Sequence, residues 1–137
     1  MKIYVIGIGL IGGSMALELK QLFDDCTIIG VDQSETHLEE ALSLGIIDEK
    51  GGLDTLAEAD RVILSIPVKE CLRLLPSILD QLNNDALLFD VGSTKEQLCK
   101  VVENHPKRDQ YLAAHPIAGT EFSGPKAAHL GLFKGKP

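Results

Sequence analysis

Ile3-Tyr4-Val5-Ile6-Gly7-Ile8-Gly9-Leu10-Ile11-Gly12 is an apolar run that breaks into a glycine triplet, and Asp32 stands twenty positions after the last of those glycines. A bare GxGxxG arises often by chance. Here it follows a strand, opens an amphipathic helix over Leu10–Phe23, and leads through a second apolar strand, Thr27–Val31, to the acid. That is the setting of a dinucleotide-binding βαβ unit.

Each position has a physical task. Gly7 permits the tight turn out of the strand, Gly9 lets a pyrophosphate lie against bare backbone, and Gly12 lets helix and strand pack closely. The unpaired N–H groups at the helix start, around Leu10 and Ile11, carry the positive end of the helix dipole and suit a phosphate. Asp32 is placed to accept hydrogen bonds from a ribose diol and to repel a 2′-phosphate, and no Arg follows in Gln33-Ser34-Glu35. The expected cofactor is therefore NAD and not NADP. The competing reading is a turn that merely packs helix on sheet, with Asp32 capping the next helix. It has to treat the acid's position as coincidence.

The remaining pattern extends the same architecture. A helix capped by Ser34 and ending before Gly45, a short strand at Ile46-Ile47, and helical turns over Asp54–Ala59 precede an apolar strand, Arg61–Ser65. Pro67 starts the next helix, Pro76 is expected to kink or restart it, and it finishes near Leu82. Asn83-Asn84-Asp85 turns into the strand Ala86–Phe89, a helix runs from Thr94 to about Glu103, and the strand Tyr111–Ala114 follows. Short unbroken apolar strands separated by helices predict a doubly wound, mostly parallel α/β sheet forming one domain over 1–137. After His115 the pattern stops. Glycines at 119, 124, 131 and 135 and prolines at 116, 125 and 137 lead to an end that looks cut.

Composition narrows the function. The 137 residues are 45% apolar and 24% charged, with 13 Lys+Arg against 20 Asp+Glu and a net charge of −7. With no basic run, two Tyr, four Phe and no Trp, there is neither a phosphate-tracking surface nor a base-stacking platform, so no nucleic-acid partner is expected. No apolar stretch approaches the ~20 residues of a membrane span. Lys2 before an apolar run, with Ser14-Met15-Ala16 beyond, superficially imitates a signal peptide, but cleavage there would discard the glycine loop. Cys26, Cys71 and Cys99 are odd in number and fit no metal spacing, which suits small apolar fillers in a reducing cytoplasm.

In doubly wound sheets ligands sit beyond the carboxyl ends of the strands. Three segments project there besides the glycine loop. Ser65-Ile66-Pro67-Val68 is placed to wall the nicotinamide side. Asp90-Val91-Gly92-Ser93-Thr94-Lys95 and His115-Pro116-Ile117-Ala118-Gly119-Thr120-Glu121 bring a serine and a histidine to the same rim. Ser93 also reads as an N-cap, with Glu96 completing a capping box, and Lys95 as a first-turn packing or surface lysine. His37, His105 and His129 receive no role.

Taken together, these segments resemble the N-terminal domain of the prephenate dehydrogenases, arogenate dehydrogenases included, over essentially the whole chain. Gly7–Gly13 with Asp32 is common to many NAD enzymes. Asp90–Lys95 is more specific, and His115–Glu121, with Ser123-Gly124 and Leu132-Phe133, is the most specific piece. The resemblance implies NAD-dependent oxidative decarboxylation of prephenate to 4-hydroxyphenylpyruvate on the route to tyrosine. It implies that His115 accepts a hydrogen bond from the substrate's 4-hydroxyl and that Ser93 orients substrate, nicotinamide or imidazole. Gly7, Gly9, Leu10, Ile11, Gly12, Asp32, Ser65, Pro67, Val68, Asp90, Gly92 and Ser93 are the expected cofactor contacts. Thr120 and Glu121 match positions at the substrate mouth, Glu121 as a gate or ion-pair partner. Family members continue into a helical C-terminal domain that makes a homodimer and supplies cationic substrate contacts, so this chain alone is expected to bind NAD and turn over little. The rival readings are an arogenate dehydrogenase, another hydroxyacid dehydrogenase or imine reductase, and a nucleotide-sensing module like those of potassium transporters.

Overall fold

The computed structural model describes residues 1–137. Ten principal elements run β1 (Lys2–Ile6), α1 (Leu10–Leu22), β2 (Thr27–Val31), α2 (Glu35–Ser43), β3 (Glu49–Lys50), β4 (Arg61–Leu64), α3 (Val68–Gln81), β5 (Leu87–Asp90), α4 (Glu96–Val101) and β6 (Tyr111–Ala113). The strands form one six-stranded sheet in the order β3-β2-β1-β4-β5-β6. Every pairing is parallel. The chain begins at the centre, winds outward to β3, then crosses back to β4 and winds the other way. That reversal opens a crevice between the carboxyl ends of β1 and β4, where such sheets bind ligands.

Two apolar layers hold the sheet. In β1, Ile3 and Val5 face α1 and α2, while Tyr4 and Ile6 face α3 and α4, all fully or nearly fully buried. The period-2 alternation of side chains divides the strand between two cores, as a sheet covered on both faces requires. Helix α3 supplies Cys71, Leu75, Ile78 and Leu79 to the larger layer. On the opposite face the β5–β6 edge is bare, and Leu87 and Leu112 are exposed.

The structure departs from the sequence expectations in four places. Ile46 and Ile47 are buried but not a strand, because their N–H groups turn back to the Ala41 carbonyl at the end of α2, and β3 begins two residues later. Helix α3 runs through Pro76 without restarting. Burial of apolar residues on both sides of the proline outweighs the one hydrogen bond it removes. The helix expected from Thr94 to Glu103 is only Glu96–Val101, and Ser93 does not cap it. The strand expected over Ala86–Phe89 is displaced by one residue and ends on Asp90.

Leu88 sits at the middle of β5, completely buried. Leu88→Ala is expected to cost about 2–5 kcal/mol through lost burial and the cavity left behind. Urea unfolding checks it. A loss under ~1 kcal/mol would mean that β5 is not the packed strand described.

Candidate functional site

The glycine loop is built from backbone contacts. Gly7 has φ +93°, and a Cβ on it would lie 2.1 Å from the Ser65 carbonyl oxygen. A Cβ on Gly12 would lie 2.1 Å from the Gly7 carbonyl oxygen. Gly9 is different: a Cβ there would meet nothing within 4 Å. The first two glycines are thus required by the fold, and the third keeps open space in front of the loop. Gly9 is also the N-cap of α1, with no side-chain cap and no acid in the first turn. The first N–H groups of that helix therefore remain available to an anion.

Asp32 ends β2 beside this loop. Its carboxylate accepts hydrogen bonds from Ile8 N at 2.9 Å and Ser34 N at 2.8 Å, and its side chain is 15% exposed. The cap of α2 is Ser34, whose hydroxyl accepts from His37 N at 3.2 Å. The competing reading of Asp32 as the helix cap therefore falls. Each carboxylate oxygen retains a further lone pair. His37 Nδ1 lies 3.7 Å from Asp32 Oδ1, a neighbour that the sequence reading left without a role.

Across the crevice, Ser65 and Ile66 lie against the bare faces of Gly7 and Gly12. Pro67 occupies the N-cap of α3 and is exposed. Val68 follows, its Cγ2 3.0 Å from where a Gly92 Cβ would stand. Val68 and Gly92 so bring the β4 and β5 rims together.

The β5–β6 side is organised around one carboxylate. Asp90 is completely buried. Its Oδ2 accepts from Gly92 N at 2.8 Å and from Lys95 Nζ, and its Oδ1 accepts from the Tyr111 hydroxyl at 2.8 Å. The Lys95 ammonium also donates to the Ala114 carbonyl at 2.6 Å. Burial first, then the bond to Asp90, raise the Tyr111 phenol well above its ordinary pKa. Burial, with the Asp90 charge second, pushes the Cys71 thiol up to about 11. Because Lys95 is drawn back to Asp90, residues 91–95 stay a loop and the capping box of Ser93 and Glu96 does not form. Sequence reasoning gave Lys95 only a packing or surface role and did not single out Tyr111; neither is marked by a motif.

Ser93 and His115 are exposed, and their side chains make no hydrogen bond within the chain. Thr120 accepts from Phe122 N at 3.2 Å, and Glu121 is exposed. Beyond them the chain returns from β6 to the first turns of α1. His129 N donates to the buried Ser14 hydroxyl at 3.0 Å, and Gly131 N donates to Glu18. Ala128 fills the space beside Gly13, where a Cβ would lie 2.7 Å away. No group of three His, Cys, Asp or Glu side chains is placed to hold a metal ion. No helix is long and apolar enough to cross a membrane.

Comparison with known proteins agrees with this geometry. Residues 15–137 match the family model of the prephenate dehydrogenase nucleotide-binding domain. A prephenate dehydrogenase of Bacillus subtilis is 37% identical over 136 residues, covering 96% of this chain and 37% of the relative. The structure of A. aeolicus prephenate dehydrogenase in complex with hydroxyphenyl propionate and NAD+ matches with TM-score 0.82 and 32% identity, over 99% of this chain and 48% of that one. Synechocystis arogenate dehydrogenase matches with TM-score 0.83 and 30% identity, over 100% of this chain and 48% of that one. The chain thus spans less than half the length of these relatives. The family match begins at Met15, so the function of the glycine loop rests on its geometry.

The two kinds of glycine predict different outcomes. Gly9→Ala should cost no more than about 1 kcal/mol, from a poorer N-cap residue, since its φ of −100° is open to alanine and its Cβ meets nothing. Dinucleotide affinity by calorimetry should nevertheless fall about 10–100-fold, from losing one or two charge-assisted bonds. Gly12→Ala should lower stability itself. Unchanged affinity in Gly9→Ala would remove the loop from the binding site.

Proposed function

The chain belongs to the family of prephenate dehydrogenase nucleotide-binding domains, and we propose that it is the NAD-binding part of an enzyme that oxidatively decarboxylates prephenate to 4-hydroxyphenylpyruvate and CO2. The observations that support this reading are an uncapped helix start beside a strand-end acid and an exposed histidine past the carboxyl end of β6. NAD fits the residues present. The open face at Gly9 and the free amides of α1 would take the pyrophosphate, and Asp32 the adenosine ribose. A relative of known structure holds NAD+ together with hydroxyphenyl propionate, which supports both the cofactor and an aromatic-ring ligand.

When bound, NAD supplies a nicotinamide carbon that accepts a hydride. The residues of this chain position the donor. Hydride leaves the ring carbon that carries the hydroxyl, and His115 accepts that hydroxyl's hydrogen bond and takes up its proton as the carbonyl forms. Loss of CO2 then makes the ring aromatic and drives the reaction, so the protein's main contribution is alignment. Ser93 orients the reacting groups from the neighbouring loop. Thr120 and Glu121 stand at the substrate mouth, with Glu121 as gate or ion-pair partner.

Arogenate is the second reading, favoured by the similarity to Synechocystis arogenate dehydrogenase. The two substrates differ in a side-chain keto or amino group. We place the groups that read this difference, and the cations that hold the carboxylates, in a C-terminal helical domain that also dimerises the cytoplasmic enzyme. Residues 1–137 then form its cofactor domain.

NADH formation from prephenate and from arogenate, followed in parallel with the complete gene product, tests the reading. Turnover of either supports it, and binding of NAD with neither substrate oxidised would sink it. In the complete polypeptide His115→Asn should lower kcat by roughly 10²–10⁴. An unchanged kcat would remove His115 from the mechanism.

Asp32→Ala should weaken NAD and narrow its advantage over NADP, measured as a ratio of dissociation constants. Loss of the Ile8 contact loosens the loop for both cofactors alike, so the ratio isolates the ribose contact. A parent that binds NAD and NADP equally would undo the assignment.

A further inference from the structure

Lys95 makes a contact that charge balance alone does not require. A buried carboxylate needs a partner, and Lys95 gives Asp90 one. The same ammonium also donates to the Ala114 carbonyl at 2.6 Å. Strand β6 stops at Ala113, so Ala114 lies beyond the last rung of its ladder with Asp90. Its carbonyl is the last peptide oxygen before His115. On the other side, Asp90 fixes Gly92 through its N–H, and Gly92 adjoins Ser93. One cation therefore ties together the two exposed loops that end β5 and β6.

We propose that Lys95 is a positioning residue: through Asp90 and the Ala114 carbonyl it sets the separation of the Ser93 and His115 segments across the rim. The inference rests on the reading of those two residues as the reacting rim. Neither side chain has a hydrogen bond of its own within the chain, so their placement depends on the backbone that carries them. That backbone is held by charge-assisted bonds to a group with no exposure, while the lysine side chain keeps 27% of its surface. Tyr111 completes the arrangement by holding the second Asp90 oxygen, so the carboxylate cannot swing away from Lys95.

The test pairs a structural and a kinetic readout. Lys95→Met alone leaves Asp90 buried without a cation and is liable to unfold, so Asp90→Asn/Lys95→Met, which removes both charges, decides the matter. In the 137-residue chain, amide signals of Gly92, Ser93 and His115 should move or exchange faster in this variant. Those of Gly9 and Asp32 should stay in place. In the complete polypeptide kcat should fall about 10–100-fold, because misplacement by an ångström is enough to do this. Lys95→Arg should recover part of kcat, since a guanidinium can still reach carboxylate and carbonyl but in a different geometry.

A folded double variant with Ser93 and His115 amides unmoved overturns the proposal. So does a kcat within about threefold of the parent. If the parent oxidises neither substrate, the functional reading falls by itself, and the amide signals still decide whether Lys95 positions the two segments.

Discussion

Three pieces of backbone meet at the centre of this molecule with no side chain between them: the end of β1, the end of β4 and the first turn of α1. The contact exists because Gly7 and Gly12 lack a Cβ, and a methyl group at either would stand 2.1 Å from a carbonyl oxygen. The sheet's central pairing, the angle at which α1 leaves it and the opening of the crevice all follow from this approach. It also aims the unpaired amides of α1 away from protein, since the helix starts on a glycine with nothing to cap it. A binding site and a packing constraint are here the same atoms.

The other half of the rim is held by charge. On the β5–β6 side the loops carry no glycine contact of that kind, and the Asp90 carboxylate does the holding with Gly92, Lys95 and Tyr111. A buried carboxylate costs several kcal/mol unless its lone pairs are filled, and here three donors fill them. That makes the Ser93 loop stiff where it leaves β5 and leaves Ser93 itself free. The helix expected from Thr94 starts late here: Lys95 is the N-cap of α4, and its side chain turns back to Asp90.

What the sequence disclosed follows the range of the interactions concerned. The glycine loop, Asp32 and the run of strand ends were legible because each is a local pattern, an alternation or a fixed offset. The late start of α4, the role of Lys95 and the return of the chain to Ser14 and Glu18 were not. Lys95 needs Ala114, and Tyr111 finds Asp90 only after the register Leu88↔Tyr111 brings their strands together. Ile46 and Ile47 misled for the opposite reason, since an apolar pair reads as a strand whether it pairs with a neighbour or, as here, folds back on a helix end. Pro76 did likewise, because its neighbours' burial is a tertiary fact.

Asp32 and Asp90 show how the same residue type at equivalent strand ends acquires opposite duties. Both stand at the carboxyl end of a parallel strand, and both accept an N–H from the residue two places on. Asp32 takes its hydrogen bonds from backbone amides, with His37 Nδ1 3.7 Å away, and keeps 15% of its side chain exposed, so it can still accept from a ligand. Asp90 faces an ammonium and a phenol and has no exposed surface. Its side chain, expected among the cofactor contacts, is engaged by Gly92, Lys95 and Tyr111. The difference is set by what stands opposite: Asp32 meets backbone N–H groups and the exposed His37 ring, and Asp90 meets Tyr111 of β6. In this sheet the partners that stand opposite, not the residue type, decide which strand-end acid keeps an exposed face.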